Sequence, residues 1–203
     1  MKVIRCAELV LVAVLVALVP GLADADARRS SDAVGDVQYF VNTDPTTVPP
    51  PVSAGTRNVG DIKAVRVGHS STKVRVTIYF RSLPRSGQFH GHVFRFVSGG
   101  FERKAQVTAG PGEAHGWKGD ALIATPSDKP VTCRGMKHRI DYAHAQVILS
   151  VPSSCLRHPR SVRVGAGTVV LAGDRTYFDD GYANRGDMGN GAFRPTLGPS
   201  VKR

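Results

Sequence analysis

Two adjacent carboxylates are the residues of this chain best suited to hold a cation. Asp179 and Asp180 close the segment "RTYFDD", which alternates like a strand. Neighbouring negative charges at a strand end repel unless a cation or basic groups neutralise them. Calcium draws about six to eight oxygens from carboxylates and backbone carbonyls. The segment "SSDAVGDV", near the other end of the chain, supplies Asp32 and Asp36. Gly35, just before Asp36, is free to take the sharp turn of an ion-binding loop. First and last strands lie close together in many sandwich folds. The expectation is therefore one calcium site made by Asp32, Asp36, Asp179 and Asp180. The alternative puts Asp179 and Asp180 on opposite faces of the strand, one paired with an arginine and the other in solvent.

Other patterns carry less chemistry. In "FHGHVFRF", His90 and His92 stand two apart on a strand, so both leave one face. That spacing suits two ligands of zinc or copper, with His69 or His115 as a third. Phe94 and Phe96 share the face, however, and a histidine pair lining a half-buried sheet is the plainer expectation. There is no G-x-S-x-G, H-E-x-x-H, P-loop or C-x-x-C. Beyond residue 27 the only glutamates are Glu102 and Glu113. A hydrolase would have to use aspartates in a sandwich groove. Arg185–Gly186–Asp187 matches an integrin-binding tripeptide, and in so Gly-rich a stretch it reads as coincidence.

The elements that must position these groups are strands. In "KVRVTIYF", Val74, Val76, Ile78 and Phe80 leave one face, and Lys73, Arg75, Thr77 and Tyr79 the other. The same period of two marks 36–41, 62–69, 89–97, 103–109, 119–125, 137–143, 146–152, 161–172 and 175–180, with turn-forming residues between. Many short strands at this spacing imply an all-β, antiparallel β-sandwich, jelly-roll-like, in a single domain over 28–180. Residues 42–58 read as a Pro/Thr-rich loop. Residues 181–203 have few apolar side chains and read as a disordered tail. Any helix is expected only as a turn at Pro152–Leu156.

Residues 1–27 read as a signal peptide. Lys2 and Arg5 precede the apolar run Leu9 to Val19, which is followed by small residues with A-x-A sites ending at Ala25 or Ala27, the latter preferred. The apolar run is shorter than the roughly 20 residues of a membrane-spanning helix. The expected location is secreted and extracellular. There the two remaining cysteines, Cys133 and Cys155, should pair. They flank the hairpin "KHRIDYAHAQVILSVP" and would tie its outer ends.

The net charge of +11 attracts polyanions. The cations are scattered rather than gathered in the dense, aromatic-interleaved stripe of a nucleic-acid site. No specific nucleic acid and no membrane are expected as partners, and the chain is expected to be a monomer.

"IDYAHAQVILSVPSSCL" places strand, turn, strand and then V-P-x-S-x-L. It resembles a segment of DOMON and family-9-like carbohydrate-binding sandwiches. The frame "DAVGDV", "GDIKAVRVGH" and "VRVTIYF" also resembles secreted actinobacterial β-sandwich proteins of uncharacterised function, and the likeness spans roughly residues 32–180. It implies a non-catalytic surface or carbohydrate-binding-type module, with cell-wall or extracellular polysaccharide or anionic polymers as partners. Tyr79 and Trp117, the one tryptophan, are the expected ligand-binding aromatics. A small secreted hydrolase is the alternative.

Overall fold

The computed structural model describes residues 26–42, 49–183 and 193–203. Two antiparallel sheets pack face to face, so the protein is a β-sandwich. Strands β1 (Asp26–Ser31), β2 (Gln38–Val41), β3 (Val52–Ser53), β4 (Ile62–His69), β5 (Lys73–Phe80), β6 (Phe89–Ser98) and β7 (Phe101–Ala109) come first. They are followed by β8 (Asp120–Ala124), β9 (Lys137–Asp141), β10 (Gln146–Pro152), β11 (Ser161–Ala172), β12 (Arg175–Asp180) and β13 (Leu197–Lys202). One sheet has the order β1-β4-β5-β10-β9, the other β3-β2-β12-β11-β6-β7-β8. Among the described residues the only helical pieces are two 3-10 turns. Ser153–Leu156 is the expected one, and Gly116–Lys118 is additional.

The alternation seen in the sequence becomes the core. Val74, Val76, Ile78 and Phe80 of β5 are buried against Phe94 and Phe96 of β6 and Val162, Val164 and Ala166 of β11. Removing this apolar surface from water drives the two sheets together. The β9–β10 hairpin forms in the register Gln146 with Asp141 to Ser150 with Lys137. Cys133 and Cys155 bridge its outer ends with Cα atoms 5.6 Å apart, within disulfide reach.

The reading of residues 181–203 as a disordered tail does not hold at its end. β13 pairs with β11 along Ser161–Gly165, on the edge that β12 leaves free beyond Gly167. Backbone pairing holds it, with Val201 as the buried apolar anchor. Arg185–Gly186–Asp187 lies outside the described residues, as do residues 1–25. β1 already begins at Asp26 and pairs with β4 from Asp26–His69 to Ser31–Ala64. The domain thus starts before residue 28.

Candidate functional site: a buried carboxylate cluster and a basic sheet face

The loop between β1 and β2 carries the chain from one sheet to the other. β2 then pairs with β12, Gln38 opposite Phe178. Asp36, two residues before Gln38, therefore arrives beside the end of β12. Asp32, Asp36 and Asp179 each bring a carboxylate oxygen to within 4.8 Å of the others. That is the greatest separation that one ion with ligand distances near 2.4 Å can span. Gly35 adopts φ +74°, the left-handed turn expected of it.

Each carboxylate has a distinct role. Asp179 accepts hydrogen bonds from the backbone N–H of Ile62 (2.7 Å) and of Asp180 (2.9 Å). It thereby fastens the end of one sheet to the first residue of β4 in the other. Asp32 accepts from Ala33 N–H through one oxygen, and its Oδ2 is buried without a hydrogen-bond partner. Both oxygens of Asp36 are likewise buried and unpartnered. Burial, with the charges of Asp179 and Asp36, pushes Asp32 up to about 9. Asp179 is pushed up to about 8, again first by burial and then by the charge of Asp36. Burial also raises Asp36.

Asp180 is not part of the cluster. Successive strand residues face opposite ways, and its carboxylate turns toward the returning chain. It accepts from Thr196 N–H (2.7 Å) and Tyr182 N–H (3.1 Å). The four-aspartate site thus reduces to three of its members, and the fourth anchors the approach to β13. Both aspartates lie within the protein, with Asp180 at 0% exposure and Asp179 at 2%. Neither is the solvent-facing charge of the alternative reading.

A further acid that the sequence reading missed lies beside the cluster without being one of its three members. Asp61, fully buried, accepts from Gly35 N–H through Oδ2, which also pairs with Arg81 at 3.2 Å. Its Oδ1 is buried and unpartnered. Its charge acts on Asp179, and that of Asp36 acts on it. The sequence held a sign of it: Val-Gly-Asp occurs at 34–36 and again at 59–61, and both glycines take positive φ. The second copy brings an aspartate to the entry of β4, next to the Ile62 that Asp179 grips.

The histidines are core residues. His90 and His92 face inward at 0% exposure, and His92 packs on Phe80 with ring centres 5.3 Å apart. Burial lowers His92 to about 3, so it is neutral. His69 bonds through Nδ1 to the Val201 carbonyl, and His115 pairs with Asp120. Among the described residues these histidines form no three-ligand cluster. The face is fully rather than half buried because the second sheet covers it.

The two expected ligand-binding aromatics are far from equivalent. Trp117 sits on the Gly116–Lys118 turn, edge-on to His90 at 5.2 Å and to Tyr142 at 6.1 Å. Tyr79 lies on the outer face of the five-stranded sheet, in a groove of about 540 Å³. The two do not form one platform. Arg66, Lys73, Arg75 and Arg139 line the groove, with Gln146 and Ile148 between them and no carboxylate in its lining.

Compared with known proteins, the chain matches no family model, no curated protein and no solved structure.

Proposed function

We propose that the protein is an exported, non-catalytic β-sandwich binding module whose two sheets are locked together by calcium. The observation that carries the ion-locked reading is the meeting of Asp32, Asp36 and Asp179, with three buried oxygens of Asp32 and Asp36 lacking any hydrogen-bond partner. Buried polar atoms are rarely left unpaired, and unpaired buried carboxylates are costlier still. A hard cation supplies what they lack. Asp32, Asp36 and Asp179 would hold it, with Asp61 behind them. The ion would join the β1–β2 loop to the end of β12, and Asp179 already reaches β4 through Ile62. What favours binding over hydrolysis is the groove itself, whose lining offers cations and neutral side chains where an acid/base pair would need carboxylates.

Melting curves of the secreted protein test the ion. A ligand that binds only the native state stabilises it by about 2.7 kcal/mol at a hundredfold excess over Kd. For a chain of this size that is roughly 5–10 °C in Tm. Millimolar calcium should raise Tm by this order, and chelator should reverse it. Magnesium should do less, because it demands a tighter octahedral site. Asp36→Asn is the informative variant, because Asp36 makes no hydrogen bond that the fold would lose. It should fold and no longer respond. A wild-type melt indifferent to calcium sinks the proposal.

A further inference from the structure

We propose that the outer face of the five-stranded sheet binds a linear, carboxylate-bearing polysaccharide along its basic groove. This rests on the reading of the chain as a binding module and names the site and the class of ligand.

The sheet register sets out the charges. Arg29 stands opposite Arg66, Arg66 opposite Thr77, Thr77 opposite Ile148, and Ile148 opposite Arg139. This row crosses all five strands and puts cations at both ends of a short-chained middle. Three strand spacings separate Arg66 from Arg139, about 14 Å. Arg75 and Lys73 extend the basic surface along β5, and Gly68, opposite Arg75, leaves room beside it. Among the described residues Arg66, Arg75 and Lys73 have no carboxylate partner, whereas Arg139 pairs with Asp141. Unpaired guanidinium groups on a rigid sheet are ready for bidentate contact with carboxylates. Gln146 and Tyr79 add neutral polar groups suited to sugar hydroxyls between the charges.

The same surface disfavours other polyanions. Single-stranded nucleic acid needs aromatic faces for its bases. The one aromatic in the groove, Tyr79, is covered by the Arg29 guanidinium at 4.8 Å. A membrane surface calls for apolar residues at the rim. The large exposed ones, Val34, Val52 and Leu122, lie outside the groove.

The test is binding of the intact secreted protein, at about 150 mM salt where long-range attraction is screened, to a linear polymer of alternating glucuronate and N-acetylhexosamine. Neutral dextran, a DNA oligonucleotide and anionic phospholipid vesicles are the comparison ligands. The glucuronate polymer should bind and dextran should not. Arg66→Glu with Arg75→Glu should weaken binding at least thirtyfold. Lys129→Glu with Arg160→Glu, the same charge change at exposed sites off the groove, should weaken it less than threefold. Equal losses in the two double variants would mean diffuse polyelectrolyte attraction and would overturn the proposal. So would absence of glucuronate-polymer binding, or DNA or vesicles binding as tightly through Arg66 and Arg75. The calcium response of Tm is read on the same samples. A groove variant that keeps the response but loses the polymer separates this site from the ion. Polymer binding without any calcium response would refute the ion and leave the groove standing.

Discussion

At the scale of single residues, adjacent Asp179 and Asp180 do two jobs because a strand sends neighbours to opposite faces. Asp179 belongs to the carboxylate cluster. Asp180 is a buried acceptor for two backbone N–H groups, those of Thr196 and Tyr182. Its burial raises its pKa, while those two hydrogen bonds pull the other way. Asp180→Ala would strand both donors in a region where water does not replace the lost acceptor. Hydrogen bonds to a charged group contribute about 1.5–3 kcal/mol each, and the released chain end recovers part of that in water. The expected loss is about 2–4 kcal/mol in a urea melt, with the calcium increment in Tm unchanged. A variant that loses the calcium response along with stability would place Asp180 at the ion after all. Asp36→Asn should behave in the opposite way, keeping its stability in chelator and losing the response.

At the scale of elements, what the sequence made legible is what burial writes into it. β4, β5, β10, β11 and β12 match the alternating segments residue for residue; in β4, β5 and β10 one face is apolar and buried, and in β11 and β12 both faces are largely covered. β1 and β13 were not legible. "DARRSS" has no large apolar side chain, and in "LGPSVK" only Gly198 and Val201 are buried, with Pro199 exposed on an edge where a missing N–H is tolerated. Backbone pairing rather than burial holds both, and pairing leaves little trace in composition. The carboxylate site was legible in three of its residues because a long-range neighbour relation, first strands beside last, was expected of the fold. Asp61 was missed because its one local sign, the second Val-Gly-Asp at 59–61, does not by itself tell a buried aspartate at a strand entry from an exposed one. β1 bears on the export proposed above. Asp26 pairs with His69, and its carboxylate accepts from Lys202 N–H at 3.2 Å, tying β1 to β13. Cleavage after Ala27 would remove this tie, and cleavage after Ala25 preserves it. The intact mass of the secreted protein should therefore correspond to an Asp26 start, and a mass beginning at Arg28 would count against it. The hairpin staple is the other element-scale case. The disulfide spans 22 positions, for which loop-closure entropy gives about 3 kcal/mol. Cys133→Ser with Cys155→Ser should lower unfolding stability by that order while the far-UV spectrum stays β-rich, and an unchanged denaturation midpoint would contradict it.

At the scale of the whole molecule, the buried carboxylates and the buried histidines impose opposite dependences on pH. Asp32 rises from an ordinary 3.8 to about 9 in the folded chain, and Asp179 to about 8. Without a cation, the folded state therefore binds more protons than the unfolded state from about pH 4 upward. Stability linked to these groups is full below pH 3.8 and is lost as pH rises through 8 and 9. His92 runs the other way, from 6.5 down to about 3, so its contribution is full above pH 6.5 and is lost as pH falls toward 3. Between pH 4 and 6.5 the two trends partly cancel, and above 6.5 only the carboxylate loss remains. In chelator the protein should be most stable in mild acid and should weaken steadily from pH 6.5 to 8. Calcium bound as proposed would compete with protons for the same oxygens, so it would gain affinity as the cluster deprotonates and would remove that decline. The increment in Tm from a fixed millimolar calcium concentration should accordingly be small at pH 5 and several times larger at pH 8. Thermal melts at pH 5, 6.5 and 8, with calcium and with chelator, read this directly. Equal increments at all three values would mean that the ion does not sit on the carboxylates whose protons it must displace. A module built this way would be held rigid in calcium-rich, neutral surroundings and would loosen where either condition fails. Its basic groove would be spared that loosening at first, because the groove lies on the far side of β4 and β5 from the cluster's contact with Ile62.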